Sequence, residues 1–338
     1  MVRFLKCIRK YDPNTPLRIR KCCNFKVTAF TGVCISWDEE EKEKHMLRRM
    51  MFMALLVGCV ALLVTGANAS EPRWPEKIKV GVIPTEGGAD SKQRFQPLKD
   101  HLMEKLGITV EIVSASDYAG VITAMAHKHI DFAYFGPKSY VEAAEKADGQ
   151  AIAMELDFNG NPGYTPIIIA KKGSGIQNMD EAKGKTFCFT DPNSTSGCLM
   201  PSVVFARDLK IKPESYFSKV SFSGSHGASM LAVKNGKVDV AATNDIDLGR
   251  MIEKGAVKKT DFTIIYSANP LPGAPMVARK DLPESLKAAF CGALMMINPK
   301  KDVIKKLGNG GYGPADDSDY DIIRYLKRVK AENAKKSG

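Results

Sequence analysis

From residue 78 to residue 266 the chain alternates short apolar runs with longer amphipathic stretches, and this rhythm restricts the fold more than any other feature. Ile78–Ile83 precedes a stretch with apolar residues at Phe95, Leu98, Leu102 and Leu106, a helical spacing, and Val110–Val113 follows as the next run. Further strands are predicted at Ile130–Phe135, Ala151–Leu156, Ile167–Ala170, Thr186–Phe189, Val220–Phe222, Val238–Ala242 and Phe262–Tyr266. Strands that alternate with helices build α/β lobes in which each sheet is flanked by helices.

An internal echo points to two lobes. Ala124 to Ala133 reads A-M-A-H-K-H-I-D-F-A and Ala232 to Ala241 reads A-V-K-N-G-K-V-D-V-A, with Asp131 and Asp239 in the same place. Pro and Gly cluster twice, at Pro162-Gly163-Tyr164-Thr165-Pro166 and at Asn269-Pro270-Leu271-Pro272-Gly273-Ala274-Pro275. Such segments form hinges, so the chain is expected to cross between lobes at both. Lobe one then comprises residues 76–165 and 270–338, and lobe two residues 166–269. The tail from Ser318 to Lys336 carries Ile322, Ile323, Leu326 and Val329 at helical spacing and is expected to dock as a terminal amphipathic helix.

The stretch richest in chemistry is Asp191-Pro192-Asn193-Ser194-Thr195-Ser196-Gly197, between the run Thr186–Phe189 and a helix-like Val203–Leu209. Hydroxyls and backbone N–H groups crowded at a helix start attract a small oxyanion, because the unpaired N–H groups and the helix dipole both favour negative charge. The same loop would also serve as an ordinary helix cap.

The N-terminal region reads as a leader. Met46-Leu47-Arg48-Arg49 is basic, Met51 to Val64 is almost unbroken apolar sequence, and Ala67-Asn68-Ala69 supplies the small residues of a cleavage site after Ala69. A secretory signal therefore spans 46–69, and residues 1–45 are read as an upstream over-extension of the frame. The alternatives are a cytosolic tail before an uncleaved anchor, and a lipidated Cys59. The whole chain has 49 basic and 38 acidic residues. Without 1–69 there remain 37 basic and 32 acidic, a net +5, and no basic and aromatic patch, so nucleic-acid binding is not expected. Only Cys188, Cys198 and Cys291 survive the trimming. Cys188 and Cys198 are read either as a disulfide in an oxidising compartment or as small buried thiols. No Cys/His spacing suits a metal, and no cofactor is expected.

Taken in order, Asp117-Tyr118-Ala119-Gly120, Tyr134-Phe135-Gly136-Pro137, Pro162-Gly163-Tyr164, the 191–197 loop, Gly224-Ser225-His226 and Leu271-Pro272-Gly273 resemble the periplasmic phosphonate-binding proteins of ABC importers. The likeness covers most of residues 78–315. It implies a type II-like periplasmic binding protein fold, α/β and two-lobed, with a hinge crossed twice. It also implies a monomer that closes on a phosphonate, phosphite or methylphosphonate and presents it to an ABC permease in the inner membrane. By the same resemblance the oxyanion is held by Ser194, Thr195, Ser196, His226, Tyr118 and Tyr164. Tyr134, Phe135, Asp245 and Asp247 are expected just behind them, and a bound anion would raise the pKa of a donating His226. Relatives that take aminoalkyl phosphonates use two carboxylates for the amine, and the matching positions here are Ile246 and Ala274. An amine would lose its partners there, with its desolvation uncompensated. Asp245 and Asp247 flank the first position and are read either as substitutes for the missing acids or as helix N-terminal residues, and Lys138 either as positive charge near the cleft or, by preference, as a solvated lysine at a helix start.

Two other functions compete with transport. A sensor would use the same site and pass occupancy to a membrane signalling partner. A hydrolase would make Ser194 a nucleophile and His226 its base, but the chain lacks a G-x-S-x-G elbow and an identifiable third member. A non-catalytic binding protein is the expectation.

Overall fold

The computed structural model describes residues 73–337, together with helical positions scattered between 44 and 53. The readings of 1–45 and of the leader over 46–69, including Cys59 and the cleavage site, fall almost wholly outside the described residues. Ser70–Gly338 forms one unit. No helix among the described residues is long and apolar enough to cross a membrane.

The first strands are β1 (Lys77–Val82), β2 (Thr109–Ser114), β3 (Phe132–Tyr134) and β4 (Gly149–Glu155). Then follow β5 (Pro166–Lys171), β6 (Thr186–Phe189), β7 (Lys219–Phe222), β8 (Val240–Asn244) and β9 (Phe262–Ser267). The chain closes with β10 (Pro275–Arg279) and β11 (Tyr312–Gly313). They form two sheets, ordered β11-β4-β10-β3-β1-β2 and β7-β6-β8-β5-β9. In the first sheet β2 and β3 run parallel to β1, while in the second β7 and β8 run parallel to β6. Each sheet also takes one strand that arrives straight from a crossing: β5 is antiparallel to β8 and β9, and β10 is antiparallel to β3 and β4. The two crossing segments touch through an isolated antiparallel bridge between Tyr164 and Leu271.

β10 was not foreseen from the sequence. It is short and begins on the last proline of the second Pro/Gly cluster, where breaker signals hide a strand. The run read as Ile130–Phe135 gives only three strand residues. The helix read at Val203–Leu209 begins eight residues earlier: the chain is helical from Thr195 to Asp208, with π-type turns at both ends and Met200–Val203 as α-helix between.

Burial follows the pleat. In β5, Ile168 and Ala170 join one apolar cluster and Ile167 and Ile169 the other, so a strand covered on both faces reads as a continuous apolar run. In β6, Phe187 and Phe189 face the first cluster and Cys188 the second, while Cys198 lies with Phe187 and Phe189. Cys188 and Cys198 therefore sit on opposite faces of one sheet, and both are free. The disulfide reading is corrected in favour of buried thiols.

The repeated aspartates share one task. Asp131 precedes β3 and accepts from the Lys79 N–H of β1 at 2.8 Å; Asp239 precedes β8 and accepts from the Thr186 N–H of β6 at 2.8 Å. The C-terminal helix, Asp321–Ser337, buries Ile323 and Leu326 with Leu199, Met200 and Val203 and also packs on the Pro137–Lys146 helix, leaving Ile322 exposed. It thus spans elements attached to both sheets.

Candidate functional site

The parallel strands send the loops at their carboxyl ends to one cavity between the two sheets, the usual ligand position in open α/β folds. Thr85 follows β1, Tyr118 follows β2, Gly136 and Pro137 follow β3, Ser194 to Ser196 follow β6, His226 follows β7, and Asn244 closes β8; all line it. Its free volume of about 40 Å³ accommodates a body the size of a few waters.

Helix starts converge there. Tyr118 opens the Tyr118–Ala126 helix behind an Asp117 cap, and His226 opens the His226–Lys234 helix behind a Ser225 cap. Ser194 caps the helical turn at Thr195–Leu199, its Oγ accepting from the Gly197 N–H at 3.0 Å. A Cβ at Gly197 would lie 2.2 Å from Thr190 Oγ1, so only glycine lets this turn close on β6. A Cβ at Gly227 would lie 2.9 Å from the Glu86 carbonyl oxygen, because the 226–234 helix start presses on the loop after β1.

Neutral donors make one wall. The Tyr118 hydroxyl is buried and has no partner among the described residues. The Thr195 hydroxyl accepts from the backbone N–H of Lys138 at 2.8 Å, and Ser196 accepts from the Asn244 amide at 3.2 Å. Tyr164, in the first crossing, lines the cavity beside Thr195 and Ser196, whose hydroxyls act on its phenol. Burial pushes the phenols of Tyr118 and Tyr164 up, so both stay protonated. His226 Nε2 lies 3.3 Å from Ser194 Oγ, and Nδ1 lies 3.1 Å from Thr243 Oγ1. Burial holds His226 below its ordinary value, against the opposing pull of Asp247. With Nδ1 accepting from the Thr243 hydroxyl, a neutral imidazole still presents an Nε2–H.

Ion pairs make the opposite wall. Arg250, on the Asp245–Glu253 helix, donates to the Glu155 carboxylate of β4, to Asp247 Oδ1 at 2.9 Å and to the Gly308 carbonyl at 2.9 Å. Glu155 also accepts from Tyr134 at 2.9 Å and Asn309 at 2.8 Å. Behind it Arg94 pairs with Glu86 at 2.8 Å, and Lys254 reaches the same Glu86. Burial alone would raise Asp247, but His226, Arg250 and the Asn244 amide hold it below the carboxylate range.

All six residues expected to contact an anion, Tyr118, Tyr164, Ser194, Thr195, Ser196 and His226, line the cavity, as do Tyr134, Asp247, Ile246 and Ala274. Phe135 is fully buried in the core and is not in the lining. Asp245 is spent on the hinge, accepting from the Thr165 N–H at 2.9 Å. Lys138 is not a solvated lysine: its side chain is 12% exposed, and its ammonium donates to Asn193 at 3.0 Å. Sequence reasoning missed Thr85, Asn244, Glu155 and Arg250. A lone Glu in the apolar run Ala151–Leu156 was the available signal for Glu155.

A profile of the family described as "ABC transporter, phosphonate, periplasmic substrate-binding protein" matches residues 80–320. The chain is 32% identical over 286 residues to the phosphonates-binding periplasmic protein of Escherichia coli (strain K12), covering 82% of this chain and 83% of that one. It is 31% identical over 302 residues to the phosphate-import protein PhnD of Mycolicibacterium smegmatis, covering 81% and 94%. The crystal structure of a binding protein component of an ABC phosphonate transporter from Pseudomonas aeruginosa matches with a TM-score of 0.71 and 30% identity, over 78% of this chain and 88% of that one.

Proposed function

Because this chain belongs to the periplasmic substrate-binding proteins of ABC phosphonate transporters, we propose that it captures a small phosphorus oxyanion, such as phosphite or methylphosphonate, and delivers it to a membrane permease. One observation carries the ligand reading: Tyr118 lines the cavity, is 1% exposed, and its hydroxyl has no partner among the described residues. A buried hydroxyl left unpaired costs about 1–3 kcal/mol, which a ligand oxygen at that place would recover. Ser194, Thr195, Ser196, Tyr164 and His226 complete a ring of donors drawn from both lobes, so ligand contacts favour the closed arrangement over an open one.

The size and polarity of the cavity set the substrate class. Ile246 and Ala274 line it and suit a hydrogen or a methyl on phosphorus. Glu155 and Asp247 reach the cavity too, but Arg250 already pairs with both, so an alkylammonium group would have to compete with it. Inorganic phosphate belongs in the same class, since the mycobacterial relative is a phosphate-import protein.

Hydrolysis fits the geometry poorly. In a nucleophile–base pair the second imidazole nitrogen is oriented by a carboxylate or an amide. Here Nδ1 of His226 faces the hydroxyls of Thr243 and Thr190, and Asp247 lies on the Nε2 side at 3.8 Å. We read residues 46–69 as the leader that exports the chain.

Calorimetry against phosphite, methylphosphonate, 2-aminoethylphosphonate, phosphate and sulfate tests the proposal. A small phosphorus oxyanion is expected to bind tightest. A tenfold advantage for the amine compound, about 1.4 kcal/mol, would refute the reading of Ile246 and Ala274.

A further inference from the structure

Asp247 places a buried carboxylate in the wall of a cavity whose other groups suit an anion. It is 4% exposed, and its Oδ2 lies 3.8 Å from His226 Nε2. Oδ1 accepts from Arg250 at 2.9 Å and Oδ2 from Asn244 at 2.7 Å, which leaves lone pairs open on both oxygens, since a carboxylate takes about four bonds. The Arg250 charge is shared with Glu155, and Arg94 is shared between Glu86 and Glu155. The carboxylates of Glu86, Glu155 and Asp247 thus stand against Arg94, Arg250 and Lys254, and this wall is neutral before any ligand arrives. From other elements Asp247 faces Arg94, whose charge is already paired with Glu86 and Glu155, His226, which burial keeps towards neutral, and the protonated phenols of Tyr118, Tyr134 and Tyr164.

A fully ionised oxyanion against that carboxylate would be repelled strongly, because the cavity screens far less than water. A proton between the two oxygens converts the repulsion into a short charge-assisted hydrogen bond. We propose that Asp247 selects the singly protonated ligand by accepting the hydrogen of a P–OH group, and so rejects tetrahedral anions that carry no such proton. This rests on the phosphorus-oxyanion reading above and adds a protonation state and a class of excluded ligands. Phosphorus oxyanions keep a last proton to near neutral pH. Sulfonates and sulfate have already lost theirs. Methanesulfonate matches the shape and charge of hydrogen methylphosphonate and lacks only that proton, which makes it the natural probe.

The test measures methylphosphonate and methanesulfonate binding by calorimetry, with wild-type protein and Asp247→Asn, from about pH 6 to about pH 9, across the last ligand ionisation. Wild type is expected to lose affinity for methylphosphonate about tenfold per pH unit once the ligand gives up its proton, and to leave methanesulfonate unbound. Asp247→Asn is expected to flatten that slope and to shrink the preference for methylphosphonate over methanesulfonate at least tenfold, about 1.4 kcal/mol. Wild-type affinity that holds or rises with pH overturns the inference without any variant having to fold, and leaves the phosphorus-oxyanion reading standing. So does an Asn variant that weakens both ligands equally and keeps the wild-type slope, since Asp247 would then only position Arg250 and His226. A wild type that binds no phosphorus oxyanion at any pH overturns the ligand reading and this inference with it.

Discussion

On one side of the cavity Ser194, Thr195, Ser196 and Tyr118 at helix starts, with Tyr164 from the first crossing, offer neutral hydroxyls; on the other, Glu155, Asp247 and Arg250 are charged and already joined to one another. The first wall holds donors with capacity to spare, as the unpartnered Tyr118 hydroxyl shows. In the second, Arg250 donates from Nε and from both terminal nitrogens to groups within the protein. Attraction for an anion therefore resides in oriented neutral dipoles, which keep small pKa liabilities and need little reorganisation, while the ions hold the two lobes in register. Substitutions on the two walls should accordingly separate stability from affinity.

The largest effect belongs to the ionic wall. Arg250→Met leaves Glu155 and Asp247 buried without their shared cation, and breaking such a pair costs about 3–5 kcal/mol. For a chain of this size that lowers the melting temperature by roughly 10 °C. Adding Glu155→Gln to Arg250→Met should return part of the loss, since the orphaned charge goes with it. A single variant that melts like wild type would show that the ion pairs do not hold the lobes together.

On the neutral wall Thr195→Val comes next. The side chain keeps its shape but loses a hydroxyl that meets Tyr164 and caps the Lys138 N–H across the cleft. Ligand affinity should fall on the order of 100-fold, and the uncapped N–H should lower the melting temperature by only a few degrees. Unchanged affinity in calorimetry would move the anion to another part of the cavity.

The two walls also differ in how far they could be read in advance. The Ser-Thr-Ser loop is contiguous, lies between a strand and a helix, and carries residue types that already have a job at helix starts, so local chemistry exposes it. Glu155 and Arg250 are 95 residues apart and meet only because β4 and the Asp245–Glu253 helix belong to different lobes that face each other. Nothing in either neighbourhood marks the partner. The same contrast holds for the fold: β6, whose alternating Phe187, Cys188 and Phe189 fill both faces, is plain in the sequence, whereas β10 owes its place to long-range pairing with β3 and β4. Lys138 failed for a related reason, since a lysine at a helix start is ordinarily solvated, and here Asn193 arrives from the other lobe to meet its ammonium.

The smallest change gives the sharpest comparison. Tyr118→Phe removes one oxygen that no group among the described residues uses, so the folded chain should lose nothing and is expected to gain slightly, because a buried hydroxyl without a partner opposes folding. The same oxygen, if it donates to the ligand, contributes a hydrogen bond to a charged group, and its loss should weaken binding roughly tenfold or somewhat more. Melting curves and calorimetry on this variant therefore move in opposite directions, which no substitution in the ionic wall can imitate: there, removing a charge disturbs the lobes and the ligand together. If Tyr118→Phe instead lowers the melting temperature and leaves affinity intact, the phenol serves the fold, and the division of labour between the two walls fails at its most diagnostic residue.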